Sequence, residues 1–195
     1  MIRKALSSDF KGGDKIVEIL EALGTVKEEK LELYLKKLHQ VPSPKTVIKF
    51  LHGQGYVYNN LSNGYTYASL GSKLSAFSDV AFDLFLSLAE TPFDGMDKAK
   101  FPVDLQFYIG KKIYHLINFE EQGIEKLKYR FMLPKELTES EDVIPIIVSV
   151  NNHQRNLNIL KENANLIPAQ SYIIAKATIA GDCEIELVKH GPGEL

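Results

Sequence analysis

Lysines without neighbouring carboxylates are the feature of this sequence best suited to chemistry with an anion. From Leu33 to Ser78 the chain contains five lysines and no aspartate or glutamate. Two of them, Lys45 and Lys49, are about one helical turn apart, and Thr46 and His52 share their stretch. Ammonium groups bind phosphate oxygens, and a surface without carboxylates does not repel a polyphosphate. The pattern therefore predicts a cationic surface that can bind a phosphate backbone.

The total charge by itself argues against a nucleic-acid binder, whereas the charge distribution supports this prediction. The net charge of the chain is −2. Residues 1–75 contain 11 Lys or Arg and 7 Asp or Glu, which gives +4, whereas residues 76–195 contain 12 and 18, which gives −6. A nucleic-acid contact would therefore lie in the first part of the chain, which carries the positive balance.

Most catalytic signatures are absent from the sequence. It contains no phosphate-binding Gly-rich loop followed by Lys, no His-Glu-x-x-His and no Gly-x-Ser-x-Gly. The five histidines show no metal-ligand spacing, and the single Cys183 excludes a disulfide framework. We expect no cofactor and no enzymatic activity.

The residues around the lysines predict three helices and a hairpin. Apolar residues at helical spacing predict helices at about 14–24, 27–38 and 44–52. Two aromatic-rich strips flank Asn63-Gly64, a dipeptide that favours the positive φ angles of a tight hairpin. Three short helices followed by a hairpin are the order of a winged helix-turn-helix domain, and we assign residues 1–72 to such a domain.

This assignment gives the polar residues defined roles. The third helix would enter the major groove of double-stranded DNA, and the hairpin tip would contact phosphate or the minor groove. The expected DNA-binding residues are Lys45, Thr46, Lys49, His52, Asn60, Ser62 and Asn63. The alternative is that the winged helix binds only protein.

The rest of the chain, residues 73–195, predicts a linker helix and a small α/β sandwich with a mixed sheet. The linker helix at 76–90 has a broad apolar face, which could pair two subunits in a homodimer. Strands and helices then alternate, and the near-continuous apolar run from Val143 to Val150 predicts a strand that is covered on both faces. The order α-β-β-α-β is similar to the restriction-endonuclease-like fold.

That similarity identifies an alternative function, a divalent-metal-dependent nuclease. In such nucleases an Asp and a Glu on adjacent strands hold Mg²⁺, and a Lys two residues after the Glu positions the attacking water. Here Asp104 and Glu120 would be the metal ligands, but Asn118 stands in the place of the Glu and Glu120 in that of the Lys. We therefore expect an inactive domain without a metal, in which Asp104 lies at a strand edge and Glu120 caps a helix.

Several motifs together resemble the replication-relaxation family, whose members are encoded on plasmids and conjugative elements of Gram-positive bacteria. They are Gly64 to Gly71 after the winged helix, Pro102-Val-Asp104, Asn118 to Tyr129, and the apolar strand followed by Asn152-His-Gln-Arg155. The sequence departs from the family pattern at Val103 and Asn118. The resemblance implies DNA binding in the replication, maintenance or regulation of a mobile element.

Two further features indicate the compartment. The first ten residues contain no apolar run of the kind that begins a secretory signal, and no stretch of the sequence is apolar over the length of a bilayer. We expect a cytoplasmic protein without a membrane partner.

Overall fold

The computed structural model describes residues 12–62, 64–120, 122–132, 143–150, 153–163, 173–176 and 186–189. These residues form six α-helices and nine β-strands in two sheets, one of them mixed. The mixed α and β class expected from the sequence is therefore confirmed. The chain divides into two compact units, Met1–Asp97 and Lys98–Leu195.

The first unit contains four helices around a small antiparallel sheet. Its elements are α1 (Gly13–Leu23), β1 (Thr25–Lys27), α2 (Glu28–His39), α3 (Pro44–Gly53), β2 (Tyr58–Ser62), β3 (Tyr65–Ser69) and α4 (Ala76–Leu88). The strand order is β1-β3-β2. In the register Ser69 lies between Thr25 on one side and Tyr58 on the other. The hairpin of β2 and β3 is therefore joined to the helices through β1.

Apolar residues at helical spacing form the core of this unit. In α1 the buried side chains recur with a helical period and end at Gly24, whose φ of 81° stops the helix. In α3 proline occupies the first turn, where its missing N–H costs no hydrogen bond. The side chains of α3 that face the core are Val47, Ile48 and Leu51.

Helix α4 packs on the other elements of the first unit. The rings of Phe82 and Phe85 lie 5.9 and 6.1 Å from the ring of Tyr34 in α2. The hydroxyl of Ser78 donates a hydrogen bond of 2.6 Å to the carbonyl oxygen of Leu23. This packing places α4 in the first unit, whereas the sequence analysis placed a boundary at residues 72 and 73. The structural division falls at Asp97 and Lys98, inside the strand β4 (Gly95–Lys98).

The packing of α4 also bears on the expected homodimer. The sequence analysis assigned subunit pairing to the apolar face of residues 76–90. Seven residues of α4 are buried, among them Val80, Phe82, Leu84 and Phe85. The apolar face is therefore largely buried within one chain and gives no support to pairing through that face.

The second unit is built around a mixed sheet of the order β4-β5-β6-β7-β8-β9. Its further elements are β5 (Leu105–Ile109), β6 (Lys112–Asn118), α5 (Gly123–Met132), β7 (Val143–Ser149), α6 (His153–Glu162), β8 (Ile173–Lys176) and β9 (Glu186–Lys189). Strands β6, β7 and β8 are parallel, and β5 and β9 are antiparallel to their neighbours.

The two described helices of the second unit share a core with the parallel strands. Leu127 of α5 and Leu160 of α6 pack with Ile117 of β6 and Ile147 of β7. Because the helices follow adjacent parallel strands, their first turns lie at the carboxyl ends of β6 and β7. Within the described part of the chain, no helix is both long enough and apolar enough to traverse a bilayer.

Candidate nucleic-acid interface

The exposed side of α3 carries three of the residues expected to bind DNA. Lys45, Thr46 and Lys49 are exposed, whereas the opposite side of the helix is buried. The side chain of Lys45 is 76% exposed. Lys49 makes no ion pair with any residue that the structure describes. Two ammonium groups on one exposed helix face can therefore reach an anionic partner.

The residues of the hairpin after α3 differ in their exposure and in their hydrogen-bond partners. The side-chain amide of Asn60 donates a hydrogen bond of 3.1 Å to the hydroxyl of Ser69, so this side chain is held along the sheet. Ser62 is half-buried, and Asn63 lies outside the described residues. Leu61, which the sequence analysis did not select, is 82% exposed. The described hairpin therefore offers an apolar side chain to its surroundings in addition to polar ones.

His52 does not share the exposed face of α3. Its Nδ1 lies 2.8 Å from the carbonyl oxygen of Val57, and its Nε2 lies 2.8 Å from Oε1 of Glu28. Only 16% of the side chain is exposed. The expectation that His52 faces the DNA is therefore not supported. Its contacts connect α3 with the root of the hairpin and with the start of α2.

In the folded chain the carboxylate of Glu32 lies close to the stretch from Leu33 to Ser78, which contains no carboxylate of its own. Oε2 of Glu32 in α2 lies 3.9 Å from Nζ of Lys45. In addition, Lys37 is committed to structure, because its Nζ donates hydrogen bonds of 2.7 and 3.1 Å to the carbonyl oxygens of Leu86 and Ala89. The positive surface is therefore smaller than the sequence suggests, and Lys49 belongs to it without an ion pair to any described residue.

In the second unit, the expected metal ligand Asp104 is bound to an ammonium group. Nζ of Lys126 lies 2.7 Å from Oδ1 and 2.8 Å from Oδ2 of Asp104. The backbone N–H of Asn118 donates a hydrogen bond of 2.7 Å to the same carboxylate. Lys126 is 6% exposed, so its charge is paired inside the protein. A divalent cation would have to displace this buried ammonium group.

Glu120, the other expected ligand, has a separate partner. Its Oε1 accepts a hydrogen bond of 2.7 Å from the side-chain amide of Asn156. Among the residues that the structure describes, no group of three or more His, Cys, Asp and Glu side chains is arranged to hold a metal ion. The described geometry therefore gives no support to the alternative of a divalent-metal-dependent nuclease.

The sequence analysis missed Glu32, Lys126 and Asn156. Lys126 and Asn156 are polar residues among the buried apolar residues of their helices. Lys126 directly precedes Leu127, and Asn156 lies four residues before Leu160. A polar residue in the buried stripe of a helix is a signal that sequence inspection can detect. Its partner, however, comes from another element and follows only from the fold.

Comparison with known proteins adds no identification. No protein-family model matches the chain, and no curated protein matches it either. The resemblance to the replication-relaxation family therefore stays a prediction.

Proposed function

We propose that the first unit is a winged-helix domain that binds double-stranded DNA. The observation that carries the proposal is the exposed face of α3 with Lys45, Thr46 and Lys49, on a helix whose other face is buried. The fold proposal is supported by the order α1-β1-α2-α3-β2-β3 and the sheet order β1-β3-β2, which a winged helix would share.

The proposed contacts use side chains that this unit exposes. Lys49 and Lys45 bind phosphate groups beside the major groove, and Thr46 lies on the same face and contacts the backbone or a base edge. Ser62 and the tip of the hairpin contact the adjacent backbone. His52 holds α3 against Glu28 and Val57, so its role is positioning.

The proposed cellular role is the replication, maintenance or regulation of a mobile element in the cytoplasm. It rests on the resemblance of the motifs to the replication-relaxation family. The buried Lys126–Asp104 pair favours a structural role for the second unit, whose sheet we propose to be a degenerate restriction-endonuclease-like fold. The departures from the family pattern at Val103 and Asn118 also favour a structural role for this unit.

A gel-retardation experiment with the full chain tests DNA binding. The variant Lys45→Glu/Lys49→Glu should lose retardation of duplex DNA. The matched control is Lys111→Glu/Lys112→Glu, which gives the same net charge on exposed lysines of the second unit and should retain it. Unchanged retardation in the first variant, or equal loss in both variants, contradicts the assignment.

Two further measurements sharpen the test. Affinity should fall steeply with salt, since phosphate contacts release condensed counterions. Glu32→Gln should bind DNA more tightly than the wild type, because it removes the carboxylate 3.9 Å from Lys45, whereas the exposed Glu90→Gln should not. Selection from random duplexes would then define a preferred site.

A further inference from the structure

The hairpin of β2 and β3 carries an apolar side chain at its far end that the protein leaves uncovered. Leu61 is 82% exposed. It lies opposite Thr66, and the next pair, Ser62 and Tyr65, is the last of the register before the turn. Single exposed leucines are common on protein surfaces. The position of Leu61 at the end of a braced ribbon is what gives its exposure a meaning.

The face of the ribbon opposite to Leu61 is tied down by side-chain contacts. Directly opposed residues share a face and successive residues alternate, so Asn60, Tyr65 and Ser69 lie on the face that does not carry Leu61. The amide of Asn60 donates a hydrogen bond of 3.1 Å to the hydroxyl of Ser69. Nζ of Lys27 in β1 lies 4.1 Å from the centre of the Tyr65 ring. The ribbon is therefore braced as far as its last pair before the turn.

The root of the ribbon is fixed to the helix that carries the proposed DNA contacts. Nδ1 of His52, in the last turn of α3, lies 2.8 Å from the carbonyl oxygen of Val57, which directly precedes β2. On the face of Leu61, Ala68 is fully buried. The core therefore covers this face near the root and leaves the leucine at the other end exposed. A braced ribbon extends from the end of α3 and holds Leu61 beyond the core.

The ribbon also carries no charged side chain. From Phe50 to Ser72 the sequence contains no Asp, Glu, Lys or Arg. A hairpin that bound mainly phosphate groups would be expected to carry cations, since Lys and Arg make the electrostatic contacts with the DNA backbone. A narrow, uncharged ribbon with an apolar end suits a groove of the duplex instead. The minor groove is about 6 Å wide, and single apolar side chains inserted there unstack base pairs and kink the duplex.

We propose that Leu61 is an apolar wedge that enters the minor groove of double-stranded DNA and partly separates two stacked base pairs. This inference rests on the proposed function, because the contacts of α3 hold the duplex and offset the free energy of unstacking. The expected target contains a flexible pyrimidine–purine step such as TA, since such a step is the easiest to unstack. The bound duplex then kinks toward its major groove.

Two duplexes with a dye at each end test the proposal on the full chain. One has only purines in one strand and therefore no pyrimidine–purine step, whereas the other has a single central TA step whose adenine is replaced by fluorescent 2-aminopurine. The wild type should bind the TA duplex about tenfold more tightly, increase energy transfer between its ends and raise the 2-aminopurine fluorescence by unstacking. Retardation of both duplexes without a kink or a fluorescence rise overturns the wedge and leaves DNA binding intact. Absence of retardation overturns DNA binding and the wedge with it.

Variants separate the wedge from folding and from binding by α3. Leu61→Ala should keep the melting temperature, because the side chain is exposed, and should retard the purine duplex while losing the kink and the fluorescence rise on the TA duplex. Leu61→Met keeps an apolar wedge and should retain both signals. Leu74→Ala makes the same truncation on an exposed leucine outside the ribbon and should behave as the wild type does. A kink that persists in Leu61→Ala overturns the proposal. So does a wild-type dimer that Leu61→Ala dissociates in light scattering, because a second copy would then cover this leucine.

Discussion

Nε2 of His52 and Oε1 of Glu28 lie 2.8 Å apart and join the last turn of α3 to the first turn of α2. Since Nδ1 of the same ring contacts the carbonyl oxygen of Val57, one side chain ties three segments together. Replacement by leucine leaves a partly buried carboxylate and a carbonyl group without their partner. We expect His52→Leu to lower the free energy of unfolding by about 1–2 kcal/mol.

The same variant separates positioning from contact with DNA. At temperatures well below its melting point, His52→Leu should lose less DNA affinity than Lys49→Glu. Denaturant unfolding and gel retardation of both variants provide the comparison. A stable His52→Leu protein that fails to bind DNA would place this imidazole among the contact residues after all.

Lys36 and Lys37 are neighbours in the sequence with different roles. Nζ of Lys37 donates to the carbonyl oxygens of Leu86 and Ala89 at the end of α4, where a cation also favours the helix dipole. Lys36 is exposed. We expect Lys37→Gln to lower the free energy of unfolding by about 1 kcal/mol and Lys36→Gln to leave it unchanged. Equal chemical-denaturation midpoints for the two variants would contradict this assignment.

The second unit is expected to depend on the pair Lys126–Asp104 staying intact. Removing only the ammonium group leaves a partly buried carboxylate without its cation, which costs about 3 kcal/mol. We therefore expect Lys126→Met to unfold at a much lower denaturant concentration than the wild type, whereas the exposed Lys112→Met should not. The double variant Lys126→Met/Asp104→Leu should recover part of the loss, because no charge is then left unpaired. Full stability of Lys126→Met would show that the Asp104 carboxylate does not need this ammonium group.

Asp79 makes part of the stability of the first unit depend on pH. Burial raises the pKa of its carboxyl group above the ordinary 3.8, although Lys30 and Lys27 oppose this shift. The folded chain therefore holds this proton more tightly than the unfolded chain does. The contribution of Asp79 is then fully present below pH 3.8 and is lost as the pH rises through its folded-state pKa.

The comparison of wild type with Asp79→Asn tests this direction. The difference in unfolding free energy, wild type minus variant, should decrease as the pH rises from about 4 to about 7. The exposed Asp97→Asn serves as the control and should show no such trend. A difference that increases with pH would mean that the attraction of Lys30 and Lys27 outweighs the burial of the carboxyl group.

The sequence predicted the elements that depend on local pattern. The helical spacing of apolar residues placed α1, α2 and α3 within a few residues of their observed bounds, and Asn63-Gly64 located the hairpin. It missed β1 and β4, which are Thr25–Lys27 and Gly95–Lys98. Strands of three and four residues are too short for an alternating pattern, and they exist because a neighbouring strand pairs with them.

The candidate site was predicted only where exposure follows from helical spacing. Lys45 and Lys49 lie opposite Val47, Ile48 and Leu51, so the pattern alone places them outward. His52 lies one turn after Lys49, yet its direction is set by Glu28, which is distant in the sequence. The same holds for Lys37 and for Lys126, because their long side chains contact residues that are distant in the sequence and close only in the fold.

The packing of α4 limits how the proposed DNA-binding part of this protein can be excised. Cleavage after residue 72 would remove Phe82 and Phe85 from Tyr34 and would separate Lys30 from the Asp83 carboxylate 2.8 Å away. The released piece would expose the ring of Tyr34, which these phenylalanine rings cover. A graft of the first unit onto another protein must therefore include the chain through Ala89, whose carbonyl oxygen accepts a hydrogen bond from Lys37.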